Sequence, residues 1–407
     1  MSTIRLPSGV RDFLPRAAAR RRALAHRVLD VFDAWGYARV ITPVFEVSDV
    51  LERGLGAAAR AQAIRFVEPG TGQVVALRPD ITPQIARLVA TRLTDVPGPY
   101  RLCYEGAVTR LAGEMGQREI LQAGIELVDA EDGDPEVLAV AWAALAALGL
   151  PETHLDVGHV APAHHVLGAA PDDDAREALV AAIARKDRAG VRVAARVLPA
   201  DVAPLAEALV TLWGPVAPTL ERARALAWPA AIRTALAELE QTLARFAVLV
   251  GEQPALSIDL GDLRGFDYYT GMKFAAYAGG APDAVLRGGR YDELIGRYGR
   301  AAKATGFAID LEAVAQAQRA AGVAAPRAAL GLAVDDPALA RALRGAGLRA
   351  VVQGGVGGAW LRGAGLDAAI VGDHLILADD SRKPAANAIQ AARAGDTKAL
   401  IALLQTT

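Results

Sequence analysis

The segment Leu263-Arg-Gly-Phe-Asp-Tyr-Tyr-Thr-Gly-Met-Lys-Phe274 decides how this chain is read. It follows an apolar run, Ala255-Leu-Ser-Ile-Asp-Leu260, with the composition of a strand. It gathers one arginine, one aspartate, two adjacent tyrosines and two glycines in otherwise apolar surroundings. A fixed guanidinium, hydroxyls on rigid rings and close backbone approach suit a small polar ligand that carries a ring. Taken alone, the segment reads equally well as a strand-loop-strand with packed tyrosines. What separates the two readings lies far upstream.

Three upstream segments are fit to share a pocket with it. Leu77-Arg-Pro-Asp-Ile-Thr-Pro83 is a charged turn after a strand, where Asp80 can accept from a cationic amine and Thr82 can donate to a neutral group. Arg110 stands at the end of the strand-like run 100–108. In Arg118-Glu-Ile-Leu-Gln-Ala-Gly-Ile-Glu126, Gln122 and Glu126 are four apart on a strand and so face one side. Gly124 between them leaves space for a ligand on that reading. Glu126 is a carboxylate on an otherwise apolar strand, and a buried carboxylate needs a partner or a cationic ligand. An ammonium group would serve, and so would Arg264; the plainer alternative is a structural ion pair.

The rest of the chain frames these segments. Residues 16–35 have helical periodicity, closed by Gly36-Tyr37. Val40-Ile-Thr-Pro-Val-Phe-Glu46 reads as a strand with a kink at Pro43. Runs 64–67 and 74–77 read as a hairpin, 85–94 as a helix, and 100–108 and 120–128 as two long strands around a loop at 109–119. Asp134 is a candidate cap for a helix over 134–148, with Pro135 at its first position. From about 162 to 250 the pattern is almost wholly helical. Strands resume at 255–260, 272–278 and 284–287; a helix 291–298 is expected after a Gly288-Gly289 turn, and another after Thr305-Gly306. Beyond a seam near Gly322-Val-Ala-Ala-Pro326, short strands and helices alternate as a small α/β module. The pattern predicts an α+β fold: a mainly antiparallel sheet flanked by helices, in a core of residues 1–322 with a helical insertion, followed by a domain at 326–407.

Composition removes several function classes. With 407 residues and 53% hydrophobic content, the chain can bury a large core. Its net charge of -2 supplies no global basic field for nucleic acid or membrane. No leader-like or membrane-spanning run is expected. The single cysteine, Cys103, reads as a core residue in a reducing, cytoplasmic setting. His154, His159, His164 and His165 lack Cys or Glu companions at metal-binding spacing, so neither metal nor cofactor is expected. Residues 326–407 carry nine basic side chains against seven aspartates, which argues against tRNA binding there. Gly354-Gly-Val-Gly-Gly358 has no following lysine and reads as a turn.

Taken in order, these motifs resemble the class II aminoacyl-tRNA synthetase core, specifically the histidyl-tRNA synthetases, through most of 5–320. The resemblance begins at Gly9-Val-Arg-Asp-Phe-Leu-Pro15 and at Gly36-Tyr37 with Thr42-Pro-Val-Phe-Glu46, which resembles the dimer-forming first motif. It continues through Leu77–Thr82, the second-motif strand-loop-strand 101–126, the histidine signature Arg264–Gly271, Gly288-Gly-Arg-Tyr-Asp292 and Thr305-Gly-Phe-Ala-Ile309. It implies a histidine pocket made of Asp80, Thr82, Arg110, Gln122, Glu126, Arg264, Tyr268 and Tyr269, with Asp80 where the synthetases carry glutamate.

The chain departs from a synthetase where ATP would bind. The second motif starts Arg-x-Glu in class II enzymes; here Arg110 is followed by Leu111-Ala112. The third motif ends Gly-x-Glu-Arg; here it is Asp310-Leu-Glu-Ala313, which loses the phosphate-holding arginine and adds a carboxylate. A synthetase core without ATP chemistry resembles the regulatory subunit of ATP phosphoribosyltransferase. That resemblance implies a non-catalytic chain, required with a short catalytic subunit at the first step of histidine biosynthesis, where the partner transfers ATP onto phosphoribosyl pyrophosphate. It further implies feedback inhibition by histidine and a homodimer within a hetero-octamer. The alternatives are an active histidyl-tRNA synthetase with divergent ATP motifs, and a histidine-binding paralogue with another partner.

Overall fold

The computed structural model describes residues 5–111, 116–251, 254–265, 268–323 and 330–405. Phe266 and Asp267 of the signature, Ala112 of the second motif, and Pro326 at the expected seam lie outside them. Two compact units result: Met1–Arg11 with Leu24–Val323, and Asp12–Ala23 with Ala324–Thr407.

The first unit is built on nine strands. From edge to edge they are Ala38–Arg39, Tyr100–Thr109, Glu119–Val128, Ala304–Asp310, Leu286–Arg290, Met272–Tyr277, His154–His159, Leu256–Asp259 and Trp213–Pro215. The six strands from Tyr100–Thr109 to His154–His159 pair antiparallel throughout. This is the class II synthetase-like sheet. Helices cover one face, where Leu24, Val28, Phe32, Val137, Leu138 and Phe307 belong to one buried cluster. A three-stranded sheet, Phe45–Val47, Val74–Leu77 and Arg65–Val67, leaves Phe45 and Phe66 half exposed, edge to face with ring centroids 5.9 Å apart.

Several expectations are corrected. The strand near Pro43 is confined to Phe45–Val47, because the Pro43 carbonyl is taken by Gln84 Nε2 at 2.9 Å and by Arg78. Asp134 does not cap the helix Asp134–Leu148; Gly133 occupies that position, and Asp134 Oδ2 accepts from Arg290 Nε at 3.0 Å. Gly288-Gly289 is no turn but lies within the strand Leu286–Arg290, and only a 3-10 turn, Ile295–Tyr298, follows. Thr305-Gly306 likewise lies inside a strand, with the helix Leu311–Ala320 after it. The insertion is helical except for Trp213–Pro215, which adds an edge strand to the large sheet.

In the second unit, five strands run in the order Arg349–Val352, Gly331–Val334, Ala368–Val371, His374–Leu377, Arg382–Pro384, the first three parallel. Leu332, Val334, Leu339, Leu343, Ile370 and Ile389 form its core. Gly358, expected in a turn, opens a helix, Gly358–Ala364, and donates its N–H to Asp380 at 2.6 Å.

His159 links strand to helix. Its Nδ1 accepts from the N–H of Ala161 at 3.1 Å, capping Val160–Gly168. Burial first, then the positive charges of His164 and Arg290, lower its pKa to about 4. The folded chain therefore binds fewer protons here than the unfolded chain, so stability falls as pH drops from about 6.5 to about 4. His159→Asn keeps a cap without a titrating ring. Its thermal midpoint is expected to fall less than the parent's across that window.

Candidate histidine pocket

One face of the sheet carries the pocket. Gln122, Gly124 and Glu126 share that face, and pairing sets them opposite Asp310, Ala308 and Gly306. On the neighbouring strands Arg287 pairs with Ala308, Gly289 with Gly306, and Lys273 with Gly289. Over this face lies a cavity of about 410 Å³. Asp80, Thr82, Arg110, Gln122, Arg264, Tyr268 and Tyr269 all line it, so seven of the eight residues nominated from sequence converge. The eighth, Glu126, sits behind Thr82, 1% exposed.

The inner end holds buried polar atoms that other side chains leave unsatisfied. Thr82 opens the helix Thr82–Arg92; its N–H donates to Asp80 Oδ1 at 3.0 Å and its hydroxyl to Glu126 Oε1 at 2.7 Å. Glu126 Oε2, Gln122 Oε1, Tyr268 OH and Tyr291 OH are buried without hydrogen-bond partners among the described residues. An unsatisfied buried polar group costs about 1–3 kcal/mol, so these atoms suit a polar ligand that both donates and accepts, with N–H groups for the Glu126 and Gln122 oxygens. Burial drives the Glu126 carboxyl well above its ordinary range; the Thr82 hydroxyl pulls it back and Asp80 pushes it further up. A Cβ at position 306 would come within 2.0 Å of Glu126 Oε2 and 2.8 Å of Tyr291 OH. Only glycine there lets the two polar atoms share one corner. The space over Gly124, expected to admit a ligand, is filled instead: a Cβ there would meet Phe307 O at 2.3 Å and Tyr104 OH at 2.5 Å.

Tyr291, expected from sequence to begin a helix, lines the cavity and stacks on Tyr268 at 5.4 Å with a 37° tilt. Its neighbour Arg290 turns away to Asp134 and Asp292. Arg110 donates to the Pro79 carbonyl at 3.1 Å, which ties the strand end to the turn carrying Asp80.

The outer end is a charge network that sequence reasoning missed. Lys273, 4% exposed, donates to Asp262 Oδ2 at 2.8 Å and to the Arg264 carbonyl at 3.0 Å. Arg264 Nε donates to Asp262 Oδ1 at 2.9 Å, and its guanidinium lies over the Tyr277 ring. Burial would raise Asp262, but Lys273 and Arg264 outweigh it and hold the carboxyl at about 2. A lysine inside a strand that begins at the signature's end was the available signal.

Asp310 closes the cavity on the third-motif side. Its Oδ1 accepts from the N–H groups of Glu312 and Ala313 at 2.8 and 2.9 Å. A helix N-terminus otherwise attracts phosphate. Here the chain's own carboxylate takes it, and Ala313 offers no cation in compensation.

The chain is similar to several known proteins. The histidyl-tRNA synthetase family profile matches residues 9–314. An ATP phosphoribosyltransferase regulatory subunit of Anaeromyxobacter sp. (strain Fw109-5) is 47% identical over 338 residues, covering 81% of this chain and 97% of the relative. One from Ralstonia nicotianae is 40% identical over 331 residues, covering 79% and 84%. A solved structure described as an ATP phosphoribosyltransferase regulatory subunit/histidyl-tRNA synthetase from Bacillus halodurans C superposes with a TM-score of 0.76 at 27% identity, over 87% of this chain and 93% of that one. Histidyl-tRNA synthetase from Nostoc sp. PCC 7120 gives a TM-score of 0.77 over 97% and 100%, but at 19% identity it shows the fold alone. The chain belongs to the family of ATP phosphoribosyltransferase regulatory subunits, which is built on the histidyl-tRNA synthetase fold.

Proposed function

We propose that this chain has no catalysis of its own and binds free L-histidine in the cavity. On this reading it is required for the activity of a short-form ATP phosphoribosyltransferase catalytic subunit and confers feedback inhibition by histidine on the complex. One contrast within the cavity carries the reading. Its inner end presents the buried carboxyl of Glu126, while its third-motif end presents Asp310 to any polyphosphate. Histidine is favoured at the first, and ATP is disfavoured at the second. The half-exposed Phe45–Phe66 face supports self-association; on the proposed reading the resulting homodimer stands within a cytoplasmic hetero-octamer. No helix among the described residues is long and apolar enough to cross a membrane.

The test mixes the purified chain with the short catalytic subunit of the same organism. The subunit alone is expected to be nearly inactive, the mixture active, and the mixture inhibited by L-histidine. Histidine-dependent ATP–pyrophosphate exchange by the chain alone is expected to be absent. A mixture that neither gains activity nor responds to histidine removes the reading, and robust exchange would make the chain a synthetase.

A further inference from the structure

The helical insertion presents a surface used by neither the pocket nor the core. The helix Arg188–Ala194 sets residues four apart on one side, and the 3-10 turn Ala195–Val197 that follows continues the alternation of buried and exposed positions. Val191 and Ala195 are buried and fix the segment to the core. Arg188, Arg192 and Arg196 form one exposed row, and Ala189, Val193 and Val197 form the row beside it. Val193 is 60% exposed and Val197 55%. A surface helix ordinarily turns its apolar stripe inward, and here a second apolar row faces out. Arg192 pairs with Glu207 at 3.3 Å, both on the surface, a contact worth little. Arg188 and Arg196 have no ion pair among the described residues. This basic excess stands on a chain whose net charge is -2.

We propose that the Arg188/Arg192/Arg196 and Val193/Val197 rows dock onto the catalytic subunit, against a surface that sets carboxylates beside a small apolar centre; the inference rests on the regulatory-subunit reading above. Arginine beside apolar side chains is the composition of interface centres, and unpaired charge sets the register of association. A second copy of this chain meeting the same face would set arginine against arginine. Single-stranded nucleic acid is gripped by aromatic platforms, and residues 185–197 contain none.

Two full-length variants test this: Arg188→Glu/Arg196→Glu and, separately, Val193→Ser/Val197→Ser. Each is titrated against the short catalytic subunit by sedimentation velocity, with L-histidine calorimetry on the free chain beside it. Charge reversal is expected to weaken assembly at least about tenfold at about 0.1 M salt. The parent's assembly should weaken as salt rises from about 0.05 to about 0.5 M, and the reversed variant's dependence should be flatter. Histidine binding by the free chain should be unchanged in both variants. Assembly equal to the parent in both overturns the proposal. So does loss of tRNA retention on charge reversal with assembly intact, which would assign the face to nucleic acid. If the parent binds no catalytic subunit at all, the regulatory-subunit reading itself is what fails.

Discussion

Glu126→Ala is expected to weaken L-histidine binding about 100-fold, read by isothermal titration calorimetry on the free chain. Losing a charge-assisted contact in a buried site costs about 2–5 kcal/mol, and each 1.4 kcal/mol is about tenfold. Glu126→Gln keeps an oxygen to accept from Thr82 but cannot ionise against a cationic ligand, so it should fall between parent and alanine. Tyr268→Phe removes only a hydroxyl that has no hydrogen-bond partner among the described residues, and about tenfold is expected. Stability separates a binding defect from a folding defect. Burial raises Glu126 above its ordinary value of 4.5, so the folded chain holds a proton that the unfolded chain has released. That contribution is complete below about pH 4 and fades as pH rises through the folded-state pKa. Glu126→Gln carries no such penalty, and at pH 8 it should be at least as stable as the parent. Parent-like histidine affinity in both Glu126→Ala and Tyr268→Ala would remove the pocket.

The strands and the converging motifs were legible because their signals are local. Ile120–Val128 is an apolar run interrupted by Gln122 and Glu126, and that interruption is itself the mark of a polar face. What stayed hidden depends on long-range pairing. Gly288-Gly289 reads as a turn until Gly306 and Phe307 lie across from it; a Cβ on Gly288 would then meet Gly306 O at 2.5 Å. Thus close strand approach, not chain reversal, requires glycine there, and the error displaced Tyr291 from the site. Asp134 has the sequence context of a cap, but Arg290, far along the chain, competes for it and wins with a charged donor. Trp213–Pro215 is too short for any periodicity and becomes a strand only because Leu256–Asp259 leaves an open edge. The histidine assignment itself came through the family resemblance. Spacing alone left an ion pair with Arg264 open as an alternative for Glu126, and the structure gives Arg264 to Asp262 instead.

Lys273→Met is expected to destabilise the chain by about 3–5 kcal/mol, seen as a lower denaturant midpoint with an unchanged slope. Lys273 is 4% exposed, so solvent screens this pair little. Methionine fills most of the volume, and the cost comes from leaving Asp262 with Arg264 alone, whose side chain is 51% exposed. The acid limb gives the sign. Asp262 is held at about 2, below its ordinary 3.8, so its contribution is present above about pH 4 and lost as pH falls through about 2. The parent should therefore lose stability between about pH 4 and pH 2, and Lys273→Met should lose less in that window. A double variant, Lys273→Met with Asp262→Leu, should cost less than the two single changes summed, because it leaves no buried charge unpaired. The same ammonium also holds the Arg264 carbonyl at 3.0 Å, the point where the signature loop leaves the sheet. Lys273→Met should then loosen Tyr268 and Tyr269 and weaken histidine binding, although Lys273 lies at the opposite end of the cavity from Glu126. Parent-like stability with parent-like affinity would show that the loop is held by its tyrosines alone.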